Sequence, residues 1–165
     1  MRADDLVPVL AWRNHPQIRR YMLSQEEILL DEHRRWFERT SEDPSWRLLI
    51  FENAGTPLGF VSFHGAIQNG IADWGFYAAP EAPKGTGRKL GRVALNFAFG
   101  VVRLHKVCGR VLGFNDASIR LHRTLGFQQE GVLREQHRIG NTYHDLVCFG
   151  LLQQEWSRNA CGELP

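Results

Sequence analysis

One segment, KVCGRVLGFNDASIRLHRTLGF over residues 106–127, constrains this chain more than any other. Its apolar, partly β-branched run (Val107, Val111, Leu112) reads as a buried strand. The run breaks at Gly113-Phe114-Asn115-Asp116, and a helical pattern then opens and closes at Leu125-Gly126-Phe127. Asn115 or Asp116 can cap that helix, and Gly126 is a stop that tolerates a left-handed backbone. A second strand-loop-helix unit lies upstream. It has a strand over 72–77, a loop carrying Lys84-Gly85-Thr86-Gly87-Arg88-Lys89, and a long, mostly buried helix over 87–103. A chain with two such units in tandem lays helices against a sheet.

The flanking pattern supplies the rest of that sheet and its cover. Residues 4–13 place Leu6, Val7, Leu10 and Ala11 on one helical face. A Pro-initiated helix runs from Asn14-His15-Pro16 to Met22, a polar loop covers 24–27, and 29–40 form a third helix carrying Trp36 and Phe37. The period then switches to strands over 47–52 and 58–63 around the turn Asn53-Ala54-Gly55-Thr56-Pro57, with Gln68-Asn69-Gly70 leading into the strand at 72–77. Strands at 128–138 and 143–152 close as a hairpin across Gly140-Asn141. The predicted fold class is mixed α/β (α+β), a single, mostly antiparallel sheet flanked by helices. It occupies one domain over 1–156, followed by a polar, frayed tail over 157–165.

At 165 residues, 43% apolar and 23% charged, the chain supports one core and no second domain. A net charge of +2 is too small to indicate nucleic-acid binding by itself. No apolar run reaches the roughly 18 residues of a membrane span, and the N-terminus lacks a signal-peptide layout, so a cytoplasmic, non-membrane protein is expected. Cys108 and Cys148 sit in apolar strand patterns and Cys161 in the tail. With no CxxC pair or Cys/His ligand spacing, and with the histidines scattered, neither a zinc site, another metal site nor a disulfide is predicted.

Three features carry chemistry. Gly85-Thr86-Gly87 precedes a helix N-terminus, where amides without intrahelical partners and the helix dipole suit a pyrophosphate. Lys84, Arg88 and Lys89 add positive charge there. The spacing is neither the dinucleotide GxGxxG nor a P-loop, and an ordinary glycine turn with a solvated basic first turn has the same look. On the helix after Asn115, Ser118 and His122 stand four apart and share a face. Asn115 serves as a helix cap, a ligand contact, or both. His122 serves as an acid, with a typical pKa of about 6.5, or as a surface histidine touching a bound ligand. Ser62 faces opposite to Phe63, because side chains alternate along a strand.

The order of the two units, glycine-rich first and Asn-x-x-Ser second, resembles the GNAT acetyltransferases. The resemblance implies the GNAT acyl-CoA N-acyltransferase fold, acetyl-CoA as cosubstrate, and direct transfer to an amine. It implies that Gly85, Thr86 and Gly87, with Lys84, Arg88 and Lys89, hold the pyrophosphate. Phe76 and Tyr77 then line the thioester end, and Asn115 and Ser118 touch the cofactor. Leu121-His122-Arg123-Thr124-Leu125-Gly126-Phe127 occupies the place of the family pattern L-Y-x-x-L-G-F, whose tyrosine protonates the leaving thiolate. Two departures stand out: Ala82 where Gln or Arg is usual, and only Met1-Arg2-Ala3 where a first strand is usual. Either the fold does without that strand or the strand is missing from this sequence.

Trp12-Arg13-Asn14-His15-Pro16, Tyr21-Met22, Glu32-His33 and Trp36-Phe37 further resemble the sugar-nucleotide N-acetyltransferases of pseudaminic acid biosynthesis. That likeness implies a UDP-4-amino-4,6-dideoxy-N-acetyl-altrosamine acceptor. It places Arg13, His33, His64 and Tyr77 on the nucleotide part and makes Ser62 and His122 catalytic. A ribosomal-protein N-terminal (Ser/Ala) or other amine acetyltransferase, and a non-catalytic acetyl-CoA binder, are the rival readings. No nucleic-acid or membrane partner is expected, and a homodimer is an allowed assembly.

Overall fold

The computed structural model describes residues 1–161. After a 3-10 turn at Ala3–Asp5 come three helices, α1 (Leu6–Asn14), α2 (Pro16–Arg19) and α3 (Leu30–Glu42). Three strands follow, β1 (Trp46–Asn53), β2 (Thr56–His64) and β3 (Ile71–Ala78). Then come α4 (Thr86–Asn96), β4 (Lys106–Leu112), α5 (Asp116–Thr124), β5 (Gln128–Ile139), β6 (Thr142–Leu152) and α6 (Gln153–Cys161). The six strands form one sheet in the order β1-β2-β3-β4-β6-β5. Every neighbouring pair is antiparallel except β3 with β4.

That parallel pair positions the site. β3 and β4 are in register only over Ile71–Asp73 and Lys106–Cys108. β3 continues to Ala78 and β4 to Leu112, so beyond Asp73 the two strands part and leave a fork. β4 stays paired with β6 along its whole length, from Lys106 opposite Leu152 to Leu112 opposite Leu146.

One face of the sheet is the core. Val61, Phe63, Ala72, Val107, Phe149 and Leu151 project from it with at most 2% exposure. They meet Leu90, Ala94 and Leu95 of α4 and Leu125 at the end of α5. α4 and α5 approach closely at Gly91: a Cβ there would stand 2.6 Å from a Leu125 methyl, which would have to move. Across the sheet, α3 sets Trp36 edge-on to Phe60, with centroids 6.1 Å apart, and Phe60 lies 5.3 Å from Tyr77.

The structure corrects several boundaries. α2 is a single turn, and the chain to Met22 continues in turns, Tyr21 N–H to Ile18 C=O and Met22 N–H to Arg19 C=O. The helix expected to reach residue 103 changes at Phe97 into a π-helical turn (Phe97–Val101), which brings the consecutive Ala98 and Phe99 both into the core. Residues 153–161 are a helix rather than a frayed tail, because Trp156 packs 6.4 Å from Phe99 and donates from its indole to Asn96 at 3.0 Å. Residues 162–165 of the expected tail, and the Cys161 side chain, lie outside the described ones. No strand precedes α1 among the described residues, and the Met1 amine donates to the Leu48 carbonyl of edge strand β1 at 2.8 Å. No helix among them is long and apolar enough to cross a membrane.

Candidate active site

A cavity of about 490 Å³ opens at the fork. Asp73–Phe76 of β3 form one wall and Arg110–Leu112 of β4 another. Asn115, Ser118 and His122 supply the α5 side, and Arg13 with the 21–24 loop completes the lining. The sequence reading thus converges in part. Asn115, Ser118, His122, Phe76 and Arg13 line one space, whereas His33, His64 and Tyr77 do not border it. Arg110 was missed; its signal was a charge inside an otherwise apolar strand. It stands 3.8 Å from Asp73, both side chains more than half exposed.

The glycine loop sits to the side of this cavity. Gly85 caps α4 with φ +87°, a left-handed conformation that costs other residues about 1–2 kcal/mol, and a Cβ there would meet nothing within 4 Å. Lys84, Arg88 and Lys89 are exposed around it, while Thr86 is buried. A Cβ at Gly87 would lie 3.5 Å from Leu121, an ordinary contact. An open glycine cradle beside two strand edges that do not pair with each other fits an acyl-CoA. The loop suits phosphates, and the free backbone of β3 suits an amide-bearing arm added as a strand would be. Among the described residues no group of three or more His, Cys, Asp or Glu side chains could hold a metal ion.

On α5, Asn115 is a helix cap, its Oδ1 accepting from the Ser118 N–H at 3.1 Å, and it borders the cavity as well. His122 is only 2% exposed. Its Nε2 accepts from the Trp74 indole N–H at 3.1 Å, and its Nδ1 lies 2.8 Å from the Ser118 carbonyl. Burial lowers its pKa. The expected acid therefore has neither ring nitrogen free, and it is not a surface histidine. Ser62 donates to the Gly75 carbonyl at 3.4 Å, on the strand that borders the cavity.

Around Arg13 the structure buries several polar groups. Asn14 pins the 24–29 loop, donating to the Ile28 carbonyl at 2.8 Å and accepting from the Ile28 N–H at 3.0 Å. Arg13 donates through Nη2 to the Ser24 carbonyl at 2.5 Å. Its Nη1 and the Nε2 of His33 are buried without a hydrogen-bond partner. His33 is 4% exposed and stacked on Trp36 at 5.0 Å. Burial, then the nearby Arg13 charge, lowers its pKa, and burial raises that of Tyr77. His64 lies elsewhere, stacked on Trp46 at 4.5 Å with its side chain exposed.

Comparison with known proteins agrees with this geometry. Residues 1–128 match the model of the acetyltransferase (GNAT) domain. An SPbeta prophage-derived uncharacterized N-acetyltransferase, YokL, of Bacillus subtilis is 33% identical over 130 residues, which is 76% of this chain and 72% of that protein. Acetyltransferase PseH of Campylobacter jejuni is 24% identical over 122 residues, 74% of this chain and 76% of its own. The crystal structure of spermidine N-acetyltransferase from Vibrio cholerae, in complex with CoA and spermine, superposes with a TM-score of 0.87 at 26% identity, covering 95% of each chain. The fork, the glycine cradle and the family match together make this chain a member of the GNAT family, an N-acetyltransferase that uses acetyl-CoA.

Proposed function

We propose that the acceptor is an amine borne on an anionic molecule, and that a UDP-4-amino-4,6-dideoxy-N-acetyl-altrosamine is the substrate. The observation that carries this reading is the unpartnered Arg13 Nη1 beside the unpartnered His33 Nε2. A buried donor left unpaired costs about 1–3 kcal/mol, and an incoming phosphate or carboxylate relieves that cost at a guanidinium. The charged residues bordering the cavity are Arg13, Arg110 and Asp73, a balance that favours an anion over a polycation.

Acetyl-CoA supplies a thioester carbonyl, and direct transfer to the amine needs no group from the protein to be acetylated. Lys84, Arg88 and Lys89 stand around the phosphates, Phe76 lines the thioester end, and Asn115 and Ser118 contact the arm. A backbone N–H of β3 beyond the fork polarises the carbonyl, held in place before the charge develops. Ser62, donating to the Gly75 carbonyl, acts through the β3 backbone that borders the cavity. A polyamine acceptor is the second reading, favoured by the likeness to the spermidine enzyme.

CoA release with acetyl-CoA tests both readings, with the UDP-amino sugar, spermidine and an N-terminal Ser/Ala peptide as parallel acceptors. Turnover of the sugar nucleotide alone, with its KM raised by Arg13→Ala, is the expected result. Turnover of spermidine or the peptide alone would discard the anionic acceptor and leave the family assignment intact.

A further inference from the structure

At the mouth of the fork three elements meet on one imidazole. Trp74 is the first residue of β3 past the paired segment, and its indole nitrogen can only donate. The bond at 3.1 Å therefore makes His122 Nε2 an acceptor, bare of a proton. The proton of the neutral ring is then on Nδ1, pointing to the Ser118 carbonyl at 2.8 Å. Gly109 of β4 makes the arrangement possible, since a Cβ there would stand 2.5 Å from His122 Nε2 and 2.9 Å from Trp74 Nε1. Phe149 stacks on the ring at 4.8 Å, and Phe127 meets it edge-on at 5.0 Å. The residues packed on it from β3 (Trp74, Phe76), β4 (Gly109) and β6 (Phe149), and Phe127 beyond α5, carry no titratable group.

Protonating Nε2 would set one N–H against another, and removing the Nδ1 proton would leave an imidazolate in an aromatic pocket. Neither state belongs in a proton donor working near neutral pH. The Ser118 carbonyl that the ring holds is in the same turn as the Ser118 N–H that Asn115 caps, and Asn115 and Ser118 both border the cavity.

We infer that His122 is a positioning residue, a neutral imidazole clamped between the Trp74 indole and the Ser118 carbonyl that holds the first turn of α5 at the cavity. The proton reaching sulfur comes instead from the acceptor's own amine: the C–N bond forms, the C–S bond breaks, and the N–H proton displaced from nitrogen ends on the thiol. No side chain changes its net protonation.

His122→Asn keeps a donor for the Ser118 carbonyl but cannot reach Trp74, whereas His122→Phe keeps the packing and loses both bonds. Acetyl-CoA affinity by calorimetry should weaken about tenfold in His122→Phe and less than threefold in His122→Asn. Adding Trp74→Phe to His122→Phe should weaken it no further, because the same contact is already gone. In the wild type, imidazole ¹⁵N shifts should report the Nδ1–H tautomer unchanged from pH 5.5 to 8.5. The pH dependence of CoA release with the best acceptor of the panel should have the same shape in His122→Asn as in the wild type. A ring that titrates in that range, or a loss of turnover of a hundredfold or more in both variants with unchanged acetyl-CoA affinity, would establish an acid and overturn the inference. Should His122→Phe fail to fold, Trp74→Phe and the ¹⁵N spectrum decide the question by the same criteria.

Discussion

The fork and the acceptor end border one cavity but are made by different means. At the fork the recognition surface is mostly backbone: two strand edges that part after Asp73 and a left-handed Gly85 with open space before it. At the end proposed for the acceptor it is side chains, Arg13 on the cavity wall and His33 off it, each with one buried nitrogen unpaired. Backbone recognition tolerates changes of side chain, as at Ala82. Side-chain recognition does not, so under the proposed function acceptor identity is read at Arg13.

Breaking that end gives the largest effect. Arg13→Ala should raise the acceptor KM by roughly thirtyfold, about 2 kcal/mol for a charged hydrogen bond, with acetyl-CoA affinity unchanged. Arg13→Lys should not rescue it, because an ammonium lacks the planar fork of donors. Steady-state kinetics with each substrate varied in turn distinguishes the two ends. Breaking the cradle should do the converse. Gly85→Val forces a β-branched residue to positive φ and should cost about 1–2 kcal/mol of stability, read by urea unfolding, and weaken acetyl-CoA binding while sparing the acceptor KM.

A pH series sharpens the comparison further. His33 and His122 both have pKa values lowered by burial, so below about pH 6.5 the unfolded chain binds more protons than the folded one. Stability is therefore intact above that pH and falls on acidification through it, by at most about 1.4 kcal/mol per unit for each histidine. The urea midpoint should drop between pH 7.5 and 5.5, and the drop should shrink in His33→Gln. The smallest effect is a control remote from both ends. Glu130→Gln removes the Lys106 ion pair at 2.6 Å, which should cost about 1 kcal/mol or less and leave both KM values unchanged.

Legibility follows the same division. The strand-loop-helix units were readable because each is local: Asn115 caps the turn that contains it, and Gly85 marks its own bend. The residues that carry the resemblance, Arg13 and His33, were named from the sequence, but their unpaired nitrogens were not visible there. His64 was grouped with them and lies apart on Trp46. Arg110 was passed over because a lone charge in a strand does not say which face of the sheet is open.

The sequence by itself determined the element order from α1 to β6, the Asn115 cap, the glycine positions and the family, since these depend on residues a few places apart. Only the tertiary structure decided where β3 and β4 part and what His122 can do. The indole that takes its Nε2 is 48 residues away in the chain, and the glycine that admits both rings belongs to a third element. A tautomer is set by the hydrogen bonds that reach each nitrogen, and those contacts exist only once distant strands and a helix are packed together.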